Sequence, residues 1–248
     1  MNNFGNITLL DDLYDWNKMT LLEFLQEGNI PNGWEQFFER KDVHQELIKI
    51  SKFISDSISK PEIIFPMIEH VFRAFIPLED IKAVILGQDP FHNGSNSYKG
   101  SATGLCFSVK DGNAINPSLR NIYKEIVSEG FSPNQDGKLF HWKKQGCFLL
   151  NASLTVERGN PGSHSELWKN FSKLVIEYIV NNATGVVWLL MGKHAQYYNR
   201  YISSEHVVFF TTHPSPFSCN KSTKDAPAFL GSGVFKAINN VLDTDIKW

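Results

Sequence analysis

Four short apolar runs, rich in Val, Ile, Leu and Phe, recur in the chain after residue 80. They are KAVILG (82–87), CFLLNASL (147–154), GVVWLLMG (185–192) and HVVFFTT (206–212). A strand with one wet face alternates apolar and polar residues. A strand covered on both faces is apolar throughout, so these runs predict buried strands. Between them lie PSLRNIYKEIVSEG (117–130), SELWKNFSKLVIEYIVNN (165–182) and KHAQYYNRYIS (193–203), predicted as helices. Strands alternating with helices imply βαβ units and a parallel sheet. The expected fold class is α/β: a three-layer sandwich with a short, mostly parallel four-stranded central sheet flanked by helices.

Residues 1–80 carry a different pattern. WEQFFERKDVHQELIKISKFISDSIS (34–59) mixes apolar and charged positions at roughly helical spacing. Pro61 and Pro66 interrupt it, and IEHVFRAF (68–75) is predicted as a further short helix. No internal repeat and no low-complexity tract is evident. The 248 residues fit one domain over 1–248, a mostly helical 1–80 leading into an α/β part over 81–248.

Polar clusters stand where the predicted strands end. The first strand runs into Gly87-Gln88-Asp89-Pro90-Phe91-His92, and the second carries Asn151 near its end. The third runs into Gly192-Lys193-His194, the fourth into His213-Pro214-Ser215-Pro216-Phe217-Ser218. Ligands of open α/β sheets bind outside the carboxyl ends of the strands, so the four clusters are expected to share one crevice.

Composition narrows the classes. The longest apolar run, Val186 to Met191, is far too short for a membrane span. The acidic start, MNNFGNITLLDDLYDW, resembles neither a secretory signal nor a transit peptide. Cys106, Cys147 and Cys219 are odd in number and lack metal-like spacing, which favours a reducing compartment. An intracellular location, cytoplasmic or nuclear, without a membrane partner is expected. The net charge of −2 and a pI of about 6.4 argue mildly against a nucleic-acid partner. Any DNA contact must then use local basic groups and backbone amides. There is no HExxH, CxxC pair, Walker loop or Gly-x-Ser-x-Gly, and the histidines lack ligand spacing. No metal and no cofactor is expected.

Taken in order, GQDPFH, GLCFSV, LLNASLTV, LLMGKHAQ and HPSPFS resemble the signature segments of family-1 uracil-DNA glycosylases. The resemblance runs from about Trp34 to Trp248 and is loose over its first third. The two segments GQDPFH and HPSPFS, more than a hundred residues apart, are its most specific part. It implies a monofunctional enzyme that flips uracil out of DNA and hydrolyses its N-glycosidic bond, leaving an abasic site, as base excision repair begins.

Roles follow by position. Asp89 is implied as the counter-charge to the cationic sugar and the group that orients water. His213 is implied as the donor to uracil O2 as the base leaves with negative charge. Asn151 is implied as the reader. Its amide matches the N3–H donor and O4 acceptor of uracil, and cytosine presents the reverse pair. Phe107 is implied as the stacking platform, Phe91 as the block to the thymine methyl, and Gln88 as a further pocket residue. His92 is implied to hold water or phosphate. Ser118, Gly192, Lys193, Ser215, Phe217 and Ser218 are implied as DNA contacts. Each residue also has a plainer reading from position alone. Asp89 and Asn151 suit turns, His213 a satisfied core position, and the phenylalanines core packing.

The chain departs from the family pattern in places. Phe91 stands where tyrosine is usual, Phe217 where leucine is usual, and Lys193 where serine is usual. The segments 93–103 and 219–228 are longer than their family counterparts, and their Lys99, Lys221 and Lys224 read as solvated. The expected partners are uracil-containing single- and double-stranded DNA and a DNA-mimicking inhibitor protein. The expected state is a monomer. Two rivals remain: an enzyme of the same fold with altered base preference, which Phe91 raises, and an accessory DNA-binding module without catalysis.

Overall fold

The computed structural model describes residues 16–57, 64–92, 102–110, 112–242 and 244–248. The acidic start over residues 1–15, most of the loop 93–103 and its Lys99 lie outside the described residues.

The apolar runs become a four-stranded sheet of β2 (Ala83–Gly87), β3 (Cys147–Asn151), β5 (Val187–Met191) and β6 (Val207–Thr211). The order is β3-β2-β5-β6 and every pairing is parallel. Every residue of β2, β3 and β5 is buried, as continuous apolar runs require, while Val207 of the edge strand β6 is exposed. Gly87 pairs with Asn151 and Met191 with Thr211, so all four strands end along one edge. The fold is the expected α/β three-layer sandwich.

Helices cover the sheet. In α6 (Ser165–Asn182) the buried residues Trp168, Phe171, Ser172, Val175, Ile176 and Ile179 recur at helical spacing and form one stripe. The N-terminal part contributes α1 (Leu21–Gln26), α2 (Glu35–Phe38) and α3 (Lys41–Ser57), and α3 packs on α6. Trp34, fully buried, donates its indole N–H to the Ile76 carbonyl at 2.7 Å and meets Phe75, Phe148 and Tyr178. It thereby joins the helical part to β3 and α6. The remaining helices are α4 (Pro117–Ser128), α5 (Phe140–Lys143), α7 (Lys193–Gln196) and α8 (Val234–Leu242). α5 packs on β3 and α8 on β5.

Four expectations need correction. The predicted 34–59 helix breaks at Glu39–Arg40, where Phe37 and Phe38, adjacent in the chain, are both buried. One straight helix points such neighbours in different directions. After the break α3 turns its own stripe of Val43, Leu47, Ile50 and Ile54 inward. Residues 68–75 form only a 3-10 turn, Ile68–His70, followed by turns. Ile68, Val71, Phe72, Ala74 and Phe75 are all buried there, more than one helical face could bury in so short a span. The 193–203 helix is α only to Gln196 and continues as a 3-10 helix, Tyr197–Tyr201. The apolar run 147–154 leaves the sheet after Asn151. One element was not foreseen. β1 (Ile64–Phe65) and β4 (Val156–Glu157) pair antiparallel in a small second sheet.

Candidate active site

β2 leaves the sheet at Gly87 and the chain turns through Gln88, Asp89 and Pro90. The Gly87 carbonyl accepts the Ala152 N–H at 2.9 Å and the Gln88 carbonyl accepts the Ser153 N–H at 2.8 Å. These bonds hold the turn to the segment leaving β3. Asp89 is half-buried, and its carboxylate accepts the Gly162 N–H at 2.6 Å. Burial pushes the carboxyl above its ordinary value of 3.8, while the Gly162 amide and the nearby His92 and His194 pull it back down. The turn thus holds an incompletely hydrated carboxylate fixed by a backbone donor. The His92 carbonyl accepts the Gly159 N–H at 2.9 Å, and its buried ring Nδ1 has no hydrogen-bond partner among the described residues.

Asn151 closes β3 directly opposite Gly87. A Cβ on residue 87 would lie 2.5 Å from Asn151 Oδ1 and 2.7 Å from Cys106 Cβ, so the glycine gives the buried amide its room. The next wall is the segment 104–109. Its Cys106 N–H donates to the Leu149 carbonyl at 3.0 Å, and the Cys106 thiol donates to the Ile85 carbonyl at 3.3 Å. Phe107 follows with φ +62°, the one non-glycine residue with positive φ among the described residues. Bulky residues rarely hold this conformation unless their surroundings impose it, and such residues cluster at functional sites. One imposing bond is visible: Asn116 Nδ2 donates to the Phe107 carbonyl at 3.3 Å. Phe91, half-buried, packs on Phe65, Ala102 and Val156, so the small sheet backs this ring.

β6 ends at Thr211 and leads to His213. The ring Nδ1 of His213 accepts the Ser215 N–H at 3.1 Å. A backbone N–H only donates, so this Nδ1 carries no proton and the neutral ring keeps its hydrogen on Nε2. Burial first, and His194 second, hold the imidazole below its ordinary 6.5, which favours the neutral ring. The Phe107 and His213 ring centroids are 6.1 Å apart. Gly192, at φ +83°, sits against His213; a Cβ there would lie 2.8 Å from His213 Cβ. Lys193 and His194 open α7 and are exposed.

After His213 the chain forms a tight loop. The Ser215 carbonyl accepts the Ser218 and Cys219 N–H groups at 3.0 and 2.9 Å. Ser215 and Ser218 are half-buried, whereas Phe217 is 86% exposed. Ser118 is the second residue of α4, behind the N-cap Asn116, whose side chain accepts the Leu119 N–H. Asp89, Phe107, Asn151 and His213 thus converge at the carboxyl edge of the sheet, with Gln88, Gly192 and Lys193 beside them.

Three contributors were not singled out from the sequence. Gly162 holds Asp89 from 73 residues away. Asn121, buried in α4, donates to the Pro214 carbonyl at 2.8 Å and to Cys219 Sγ at 3.3 Å, bracketing both ends of the Phe217 loop. Asn116 holds Phe107. The Asn116-Pro117 pair is a readable helix start. Asn121 offers a weaker signal, a poor helix former inside a predicted helix.

Residues 74–240 match the family model described as the uracil DNA glycosylase superfamily. The chain belongs to that superfamily. A uracil-DNA glycosylase of Psychromonas ingrahamii is 39% identical over 216 residues, covering 85% of this chain and 95% of the relative. One of Azotobacter vinelandii is 38% identical over 225 residues, covering 87% and 92%. Among solved structures, mimivirus UNG Y322F in complex with UGI superposes with a TM-score of 0.83 at 25% identity, covering 95% of this chain and 97% of that one. All four site clusters fall within residues 74–240, the region that the family model matches.

Proposed function

We propose that Asp89, Asn151, Phe107 and His213 excise uracil from DNA, the activity by which the relatives are named. The observation that carries this reading is their convergence on one edge of the sheet, with Asp89 and His213 held by backbone N–H groups, Phe107 by the Asn116 amide and Asn151 by its place at the end of β3. The flipped uracil stacks on Phe107. The Asn151 amide donates to O4 and accepts from N3–H, and cytosine would leave both buried groups unpaired. As the C1′–N1 bond breaks, the electron pair goes to the base and its charge is spread towards O2. The Nε2–H of neutral His213 hydrogen-bonds that oxygen without transferring its proton. The sugar becomes oxocarbenium-like, and the Asp89 carboxylate stabilises it and orients the water that adds to C1′. The proton released by the added water leaves by way of that carboxylate to solvent, the departing uracil anion takes one up there, and the products are free uracil and an abasic site.

Phe91, backed by Phe65 and Val156, fills the space where the thymine methyl would sit. Phe217 enters the base stack in the place of the flipped nucleotide, a role open to apolar wedges of several kinds. Ser118, Gly192, Lys193, Ser215 and Ser218 grip the backbone on either side of it, and Gln88 and His92 complete the water and phosphate contacts. The solved complex of mimivirus UNG Y322F with UGI supports the binding of an inhibitor protein as a further partner.

The test is a cleavage assay on single- and double-stranded oligonucleotides carrying one uracil, thymine or cytosine, with chelator present. Cleavage at uracil alone is expected. Cleavage at thymine with uracil poor would transfer the site to a different base. DNA binding without cleavage would make the chain an accessory module.

A further inference from the structure

A second hollow, of about 430 Å³, lies beside the catalytic turn, between the carboxyl ends of β2 and β3 and the starts of α6 and α7. Its lining includes Gln88, Ser153, Ser165, Lys169, Lys193 and Tyr197. It lies beside the turn that carries Asp89, with Gln88 in its lining. A Cβ on Gly162, whose N–H holds Asp89, would lie 3.6 Å from Ser165 Oγ and 3.8 Å from Gln88 Nε2. The size suits one nucleotide unit, not a duplex.

The lining chemistry selects what part of a nucleotide it takes. Two lysines, Lys169 and Lys193, line the hollow together with Ser165, Tyr197 and the amide residue Gln88. The one lining carboxylate, Glu166, has an 85% exposed side chain and pairs with Lys169 at 3.0 Å. So exposed a pair contributes little, and an incoming phosphate exchanges for it at small cost. The Tyr197 ring is already in contact with two cations, the Lys169 ammonium at 5.5 Å and the Arg200 guanidinium at 4.1 Å. It holds cations in place and is not open for base stacking. Tyr198, the other lining ring, is only 6% exposed. Cations and hydroxyls are the fittings of a phosphate and sugar site.

We propose that this cleft binds the phosphodiester backbone of the substrate strand next to the excised nucleotide, with Lys169 as its phosphate ligand. The inference rests on the uracil-excision reading. Lys193 belongs both to the cleft and to the Gly192–Lys193 turn, so a strand gripped at that turn continues into it.

The experiment measures kcat and KM on single-stranded uracil oligonucleotides shortened progressively from either end, for the wild type and Lys169→Gln. Glutamine keeps the length of the side chain and removes its charge. On the longest substrate KM should rise roughly three- to tenfold in the variant, kcat should hold, and the salt slope of binding should fall by about one. Shortening from one end should abolish the difference. A difference that persists after shortening from both ends, or no difference on any substrate, overturns the proposal. In the latter two cases wild-type excision from the shortest oligonucleotide still upholds the underlying reading. Absence of wild-type excision from every substrate removes both.

Discussion

Asp89 and His213 are moved in opposite directions by the same cause. Burial disfavours whichever form is charged, so it raises the carboxyl above 3.8 and lowers the imidazole below 6.5. The proposed chemistry needs a carboxylate and a neutral imidazole that keeps its Nε2–H, and falling pH adds a proton to each. The acid limb of kcat/KM should therefore begin above the ordinary carboxyl value of 3.8, and lowering of the imidazole below 6.5 keeps His213 neutral near neutrality. Asp89→Asn removes the counter-charge and should lower kcat by about 10²–10³, the scale of one lost electrostatic stabiliser. Its residual activity should keep only the His213 limb. A pH–rate series on both proteins decides this, and full activity in Asp89→Asn would take the carboxylate out of the mechanism.

At the scale of elements, α4 does more than cover the sheet. Its Asn116 bonds the Phe107 carbonyl, its Asn121 the Pro214 carbonyl, and its Glu125 carboxylate the Gly231 and Gly233 N–H groups at 2.6 and 2.8 Å. One helix therefore fixes two walls of the base pocket. Asn121→Ala leaves a buried carbonyl unpaired, at about 1–3 kcal/mol. Thermal melting should register a loss of a few degrees. As a positioning residue Asn121 should also affect kcat more than KM and weaken inhibition by free uracil. A melting shift with unchanged kinetics would leave it a purely structural group. The loop it brackets gives the converse case. Phe217 is 86% exposed, so Phe217→Ala should leave melting unchanged. As a wedge it should slow excision from duplex at least tenfold more than from single strands, since unstacking costs a few kcal/mol per step. Equal loss on both substrates would count against the wedge.

These elements also mark what was legible in the sequence. The strands and α6 were readable because burial on both faces, or on one helical stripe, writes itself into neighbouring residues. So was the gathering of the site residues, because parallel strands end on one edge. The pairing of Phe65 with Val156, which backs Phe91, was not, since two-residue strands leave no period to read. Nor was the bond from Gly162 to Asp89, which joins turns 73 residues apart. Residues 68–75 misled because dense burial in tight turns resembles a helical apolar pattern.

At the scale of the whole molecule, a net charge of −2 has to be reconciled with a polyanionic substrate. Four ion pairs lie away from the site. Arg40 with Asp42, Lys49 with Glu46, Lys52 with Asp56 and Lys173 with Glu177 lie at the start of α3, along α3 and on α6. At the carboxyl edge of the sheet, Lys193 is exposed and makes no ion pair among the described residues. Binding should then depend on a few local contacts, each releasing counterions, and not on a general field. Lys193→Ala should lower the slope of log K against log salt by about one, while Lys221→Ala and Lys224→Ala, in the solvated loop, should leave it unchanged. The three variants have the same formal charge, so a general field predicts equal changes in all three. A salt titration of uracil-DNA binding separates the two cases: a drop confined to Lys193→Ala locates the phosphate contact at the α7 turn, and equal slopes remove it from there.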